Sequence, residues 1–361
     1  MTRAFTADRR LLAGLRLTAQ HIAGEPLGSP AAVVGHLLCV QAQDYPGSLW
    51  TVGLRTADAT VDDVELAIAE RQIVRSWPMR GTLHLVLADD LDWILRLTGQ
   101  RIFAMAAGRH REMGLDEAQF ATATTTAERV LAGGEILTRA ELLAAFASAG
   151  VDTSGQRGAH LLLALSVRRV LVFGPVQGKT QTFTLLDEWV PRPRRLEGDE
   201  ALAEFVLRYL TGHGPATIRD FAWWSSLTLT DARRGLAAVE SQLERLDVDG
   251  VTHYHRPGLE PARPGVHALP GFDEFVLGYQ DRSAQLSPEH ATTIVPGGNG
   301  MFLSTIVVNG EIVGTWRRTA STRQVSVEVV PFVTLSRAAG AGMAREVKRY
   351  GHYLGRPTVI S

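Results

Sequence analysis

The sequence predicts an α+β protein made of repeated helix–helix–hairpin segments and closed by a β-rich end. Three observations carry this. Helix-period apolar stretches alternate with pairs of short strand-like runs three times along the chain, each group has its own Gly and Pro breakers, and beyond Leu269 the texture shifts to alternating β-branched residues. With 361 residues, the chain has room for on the order of two to four compact units. A content of 45% hydrophobic and 21% charged residues is that of an ordered globular chain. The single cysteine, Cys39, excludes an internal disulfide and a cysteine-built metal site. No run approaches the roughly 18 uninterrupted apolar residues of a membrane span, and the N-terminus has no secretory pattern, so the expected compartment is the cytoplasm.

The first segment begins with a helix around Leu11, Leu12, Leu15 and Leu17, followed by a polar break in which Ser29 stands ready to cap a helix starting at Pro30. The apolar stretch 31–40 predicts a helix that runs into Gln41 and stops near Pro46-Gly47. Asp62 and Asp63 start a third helix over 61–71. Residues 73–77 and 82–87 read as a small hairpin, and 89–109 as a long helix. The second segment is punctuated by the capping box Thr138…Glu141 before Leu142. A helix over 157–168 follows, then strands over 170–173 and 180–185 around a tip at 174–179. After a linker over 191–198, the third segment reads as helices over 201–210, 217–224 and 230–246, with a hairpin over 246–254. Helix, turn, helix and hairpin is the order of a winged helix.

The last segment predicts strands over 292–295, 302–308, 311–315 and 324–330 and at Val359, with Asn309-Gly310 as the strongest hairpin turn. A helix covers 335–349. The domain boundaries expected from this reading are 1–115, 116–198 and 199–268 for three winged helices, and 269–361 for a β-barrel-like end.

A net charge of −1 excludes a uniformly basic coat but not a local basic groove. Only Lys179 and Lys348 are lysines, leaving 35 of the 37 basic residues as arginine. Arginine suits bidentate phosphate contacts, and genome base composition would produce the same bias. Candidate DNA contacts are Arg80, Arg168, Arg169, Arg192, Arg194, Arg195, Arg233, Arg234, Arg317, Arg318 and Arg323. Each group taken singly is more often ordinary solvated surface than a DNA contact, and several on one concave face would be needed to mark a binding surface. His253 and His255 share a strand face, but no third clustered ligand supports a metal there. Gln41 and Gln43 are two apart, about 200° on a regular helix, so they converge only where the helix ends or distorts. Residue type alone leaves two readings of them: a structural polar cluster at a helix end, or a site.

Several separated motifs occur in a familiar order. They are Gln41-Ala42-Gln43, Arg80-Gly81-Thr82-Leu83-His84, Leu269-Pro270-Gly271-Phe272-Asp273-Glu274-Phe275 with Gly278-Tyr279, and Asn309-Gly310 with Gly314-Thr315-Trp316-Arg317. Together they resemble the winged-helix DNA-binding-domain family that contains the AlkZ-like DNA glycosylases. The resemblance implies tandem winged helices and a C-terminal β-barrel arranged as a C around DNA. It also places the Gln–apolar–Gln motif of the AlkZ-like branch on Gln41 and Gln43. The YcaQ-like branch has Asp at the second of these positions, and Asp44 comes one residue too late to be that Asp.

The activity the resemblance implies is hydrolysis of the N-glycosidic bond of bulky N7-alkylated purines, interstrand crosslinks among them, for DNA repair or antibiotic self-resistance. The partner would be double-stranded DNA carrying alkylated purines, with no cofactor, no metal, no membrane and a monomeric enzyme. Gln41 and Gln43 are the expected catalytic pair, with Asp44 and His84 as supporting candidates and Asp44 as a rival base. Amides do not titrate, but they accept from water and donate to sugar oxygens. The alternative is a non-catalytic winged-helix binder, since fold alone does not fix function.

Overall fold

Side-chain caps decide where the helices begin. Ser29, Thr138, Thr217, Thr228 and Ser336 each accept a main-chain N–H at a helix start, satisfying one of the donors a helix leaves open. Thr138 and Glu141 form the complete capping box their spacing predicts, and Thr217 with Asp220 forms another. The computed structural model describes residues 7–178, 180–298, 300–321 and 323–360. Lys179, at the expected hairpin tip, lies outside the described residues.

The chain divides into two compact units. One joins the N-terminal segment through Glu65 to everything from Ala203 onward, and the other spans Leu66–Leu202. Both are α+β.

In the Leu66–Leu202 unit, the strands Ile73–Met79 and Thr82–Leu87 pair antiparallel across Arg80-Gly81. Both turn residues have positive φ, 55° and 64°, as a two-residue hairpin turn requires. The helix Ala88–Met105 breaks at Ala106 and resumes as Ala107–Glu112, where the sequence predicts one helix. Gly99 lets this helix meet its neighbour, because a Cβ there would stand 2.5 Å from the Val167 carbonyl oxygen. Helices Arg139–Ser148 and Arg157–Val167 and strands Leu171–Phe173 and Thr182–Leu185 complete the second winged-helix pattern. A further strand, Leu137–Thr138, makes the sheet three-stranded. The sequence reading has no element for Glu117–Leu131, which is a helix capped by Asp116. Its threonine run has weak helix propensity, yet Phe120, Ala123, Ala127 and Leu131 are all buried at helical spacing.

The helix Gly198–His213 begins before the division at Leu202 and ends in the other unit, where Ile218–Ser225 and Leu229–Val239 follow. The helix predicted over 230–246 ends earlier, at Val239. Its buried positions Ala232, Leu236 and Val239 run out there, and Glu244–Val248 pairs with Val251–His255 instead. The terminal sheet has five strands in the order Thr358–Ile360, Val325–Pro331, Glu311–Ala320, Thr305–Val308, Val266–Leu269. Asn309 and Gly310, with φ of 53° and 88°, turn its central hairpin. Only the pair Val325–Pro331 with Thr358–Ile360 is parallel. Parallel neighbours need a crossover, and the helix Arg337–Tyr353 supplies it. Gly342 lets that helix lie on the sheet, since a Cβ would meet Val266 Cγ2 at 2.5 Å. The strand predicted over 292–295 is corrected to the single helical turn Ala291–Ile294. The preceding turn starts at Pro288, whose fixed φ favours a helical start, and only Ile294 of the run is buried.

Two histidines of this unit are held neutral by burial. His36 and His267 both have their pKa lowered to about 4, desolvation being the largest cause in each. The unfolded chain takes up these protons near pH 6.5, the folded chain only near 4, so stability falls as pH drops through that window. Thermal unfolding from pH 7 to pH 4 should show Tm declining across the window, with a shallower decline in His267→Leu.

Candidate functional site

The helix predicted to reach Gln41 stops at Leu37. Leu38 takes φ 68° and ψ −51°, and the chain turns into the short strand Cys39–Gln41. A leucine at positive φ costs roughly 1–3 kcal/mol and survives only where its surroundings fix it. Here they do, because Leu38, Cys39, Val40 and Ala42 are fully buried. Pro46 also has a role opposite to the one predicted. It sits in the first turn of the helix Tyr45–Gly53, starting that helix rather than ending the previous one.

Between these elements, Gln41 and Gln43 meet. The main-chain N–H of Gln43 donates to Gln41 Oε1 at 3.1 Å. Gln41 is buried, 5% exposed, and Gln43 is exposed. One amide therefore braces the loop and the other faces outward. Asp44 occupies the N-cap position of Tyr45–Gly53 but makes no capping bond. Its two carboxylate oxygens accept from Arg318 at 3.2 and 3.3 Å, and Arg318 also donates to the Tyr350 hydroxyl at 3.2 Å. Arg318, a sequence candidate for DNA contact, thus ties the Gln43–Asp44 turn to the strand Glu311–Ala320.

Beneath Gln41 lies a buried polar network that the sequence reading passed over. The N–H of Gln41 donates to Glu274 Oε1 at 3.1 Å. Glu274 Oε2 accepts from Trp224 Nε1 at 2.9 Å and stands 3.3 Å from His213 Nε2. His213 stacks on Tyr209 with ring centroids 4.8 Å apart. Gly278 makes room for it, since a Cβ there would lie 2.6 Å from the imidazole. The neighbouring Asp273 caps the turn Glu274–Leu277 and binds Arg55 through both oxygens, each at 2.9 Å, while Thr51 Oγ1 donates to it at 3.1 Å. All five guanidinium N–H groups of Arg55 are used: two on Asp273, and the rest on Thr51 O, Gln20 O and Gln20 Oε1. Gln20 in turn donates to the Glu274 carbonyl and the Tyr279 hydroxyl, and the Arg16 guanidinium lies 3.6 Å over the Tyr279 ring. Burial pushes the Tyr279 phenol well up, so it remains a neutral hydroxyl.

A signal for this network was present. Asp273 and Glu274 interrupt an otherwise apolar run from Gly271 to Leu277, and acids enter a core only when paired. The adjacent tryptophans divide as their adjacency requires: Trp224 is in the core on Glu274, and Trp223 is part-exposed beside Arg282.

The Leu66–Leu202 unit holds His84 and part of the arginine candidates. His84 is fully buried, with Nδ1 2.9 Å from the Thr82 carbonyl and Nε2 3.1 Å from Arg80. Arg168 forms a bidentate pair with Glu117 at 2.7 Å and lies over the Phe103 and Phe120 rings. Arg169 pairs with Asp92 at 3.3 Å, and Arg194 stands 3.9 Å from Asp90. Arg192 and Arg195 are exposed. In the first unit, Arg233, Arg317 and Arg323 are exposed, and Arg234 pairs with Asp231 at 3.3 Å. His253 and His255 sit on one face of their strand, each with Nδ1 against a main-chain carbonyl.

Winged-helix segments, a five-stranded terminal sheet and a Gln–apolar–Gln turn over a buried acid define a class, and comparison with known proteins gives it a name. Residues 34–353 match the AlkZ-like DNA glycosylase family. The interstrand DNA cross-link repair glycosylase of Streptomyces sahachiroi is 31% identical, over 81% of this chain and 83% of that protein. The solved structure of Streptomyces sahachiroi DNA glycosylase AlkZ superposes with a TM-score of 0.81 at 26% identity, covering 98% of this chain and 99% of that one. This chain belongs to the AlkZ-like DNA glycosylase family and is a DNA glycosylase with the family's winged-helix region and curled C-terminal sheet. The enzyme reading therefore stands over the non-catalytic binder. Among the described residues, no helix is long and apolar enough to cross a membrane.

Removing one partner from the buried Arg55–Asp273 pair leaves the other charge uncompensated. Arg55→Met and Asp273→Asn should each lower stability by about 3–5 kcal/mol, measured as a fall in the urea midpoint at unchanged slope.

Proposed function

We propose that the enzyme hydrolyses the bond between deoxyribose and bulky N7-alkylated purines in double-stranded DNA, interstrand crosslinks included, with water as the nucleophile. Alkylation at N7 makes the purine cationic. As the C1′–N9 bond breaks, its electron pair passes to the base, which leaves neutral, while the water oxygen bonds C1′ and loses its proton to solvent. The leaving group needs little acid assistance. What remains is to hold the water and to favour the positive charge developing on the sugar.

The observation that carries this reading is the division of labour between the two amides. Gln41 spends its carbonyl oxygen on the Gln43 N–H, and Gln43 is exposed. In this mechanism Gln41 fixes the turn and Gln43 meets water and deoxyribose, with neither bonding covalently to the sugar. The rival base, Asp44, is engaged through both oxygens by Arg318, which favours an anchoring role for it. Water rather than an amine fits the scarcity of lysine, since the two lysines, Lys179 and Lys348, are both far from the motif in sequence.

The domain division proposed is three winged helices over 1–115, 116–198 and 199–268, with the sheet-bearing end over 269–361. The protein is proposed to act as a monomer. Phosphate contacts are assigned first to the exposed Arg192, Arg195, Arg233, Arg317 and Arg323, ahead of those already paired with acids. Repair of alkylated DNA, or protection from an alkylating antibiotic, is the role this chemistry serves.

Base release from N7-alkylguanine duplexes tests the site. Gln43→Ala and Gln41→Ala should each slow release by about 10²-fold or more, while Asp44→Asn retains most of it. Release at the normal rate in both glutamine variants would remove the assignment. For DNA contact, alanine at a true phosphate-binding arginine should weaken duplex binding regardless of sequence and lower the salt slope by about one.

A further inference from the structure

We propose that Glu274 is a positioning residue for the reaction: its buried carboxylate sets the place of Gln41, and through Gln41 that of Gln43. The inference rests on the reading that these two glutamines act on the glycosidic bond.

Three features of the geometry support it. The first is the contact itself. Glu274 is fully buried, and its Oε1 accepts the main-chain N–H of Gln41 at 3.1 Å. That N–H belongs to the last residue of a three-residue strand entered through the strained Leu38, so it is where the segment leaves regular pairing. The second is the rigidity of the acceptor. Trp224 and His213 hold the other oxygen, the main-chain carbonyl of Glu274 accepts from Gln20, and Asp273 beside it is locked to Arg55. The third is the relay. From Glu274 Oε1 to Gln41 N is one bond, and from Gln41 Oε1 to Gln43 N is the next. A shift of the carboxylate therefore displaces the exposed amide, and misplacement of a reacting group by about 1 Å costs on the order of 10²-fold in rate.

The charge matters as well as the shape. A carboxylate accepts on both oxygens, and donors face it on both sides. An amide has one acceptor. In Glu274→Gln, whichever way the side chain flips, its NH2 confronts the Gln41 N–H or the Trp224 N–H, and one contact is lost with little change in volume.

The experiment is a double-mutant cycle on the full chain, reading single-turnover release of N7-methylguanine from duplex DNA, with duplex affinity and thermal unfolding measured alongside. Glu274→Gln should slow release by about 10-fold or more and leave duplex affinity within about twofold. In a Gln41→Ala background, the same substitution should add nothing further. If Glu274→Gln proves unfolded, Trp224→Phe takes its place in the cycle. It withdraws one donor from Glu274 Oε2, and its smaller slowing should likewise disappear without the Gln41 side chain. An unchanged rate in the folded variant, or an equal slowing with and without Gln41, would overturn the positioning role. Gln41→Ala at the normal rate would instead overturn the catalytic reading itself. A slow Gln41→Ala beside a normal Glu274→Gln removes the present inference alone.

Discussion

Two adjacent acids buried at the foot of the terminal sheet hold the rest of the site in place. Asp273 and Glu274 would be prohibitively costly in a core without partners, and the chain meets that cost fully. Asp273 has a guanidinium on both oxygens and a threonine hydroxyl; Glu274 has an indole, an imidazole and a main-chain amide. These partners come from stretches far apart in the chain: Gln41, Thr51 with Arg55, and His213 with Trp224. One of them, the Gln41 N–H, belongs to the segment bearing Gln41 and Gln43, whose own geometry includes Leu38 at positive φ. The ion pair is thus better understood as a device for specificity than as a reserve of stability.

The motifs that resemble the family take on physical meaning in this light. Gly271 allows a main-chain approach to Phe302, since a Cβ would stand 2.7 Å from that carbonyl oxygen. Gly278 admits His213, and Tyr279 links Gln20 to the His213 carbonyl. Trp316 donates to Leu269 O at the start of the same turn. Several of the recognisable residues therefore pack and hydrogen-bond around the turn that carries Asp273 and Glu274.

Much of the fold was legible because it is written in local chemistry. The caps at Ser29 and Thr138, the hairpins around Arg80-Gly81 and Asn309-Gly310 and the strand alternation after Val325 all follow from short-range rules. The errors arose where tertiary demands override them. The apolar stretch after Pro30 is helical by composition, yet it turns at Leu38 because Cys39–Gln41 is buried as a strand. The β-branched run at Thr292 lacks a sheet neighbour and coils into one turn. In the candidate site, Gln41 and Gln43 were singled out by their motif. Glu274 was not, because the partner it bonds is 233 positions away in sequence, a separation no local pattern encodes.

That separation has a consequence for synthesis. Residues 16, 20, 41 and 55 leave the ribosome early, while their partners at 273, 274, 279 and 285 are still untranslated. The amino-terminal helices must therefore wait, with Arg16 and Arg55 still solvated, until the last quarter of the polypeptide emerges. A nascent or prematurely terminated chain would carry the glutamine motif but not its geometry. The turn that bears Gln41 and Gln43 would then take its final form only after synthesis has passed position 285.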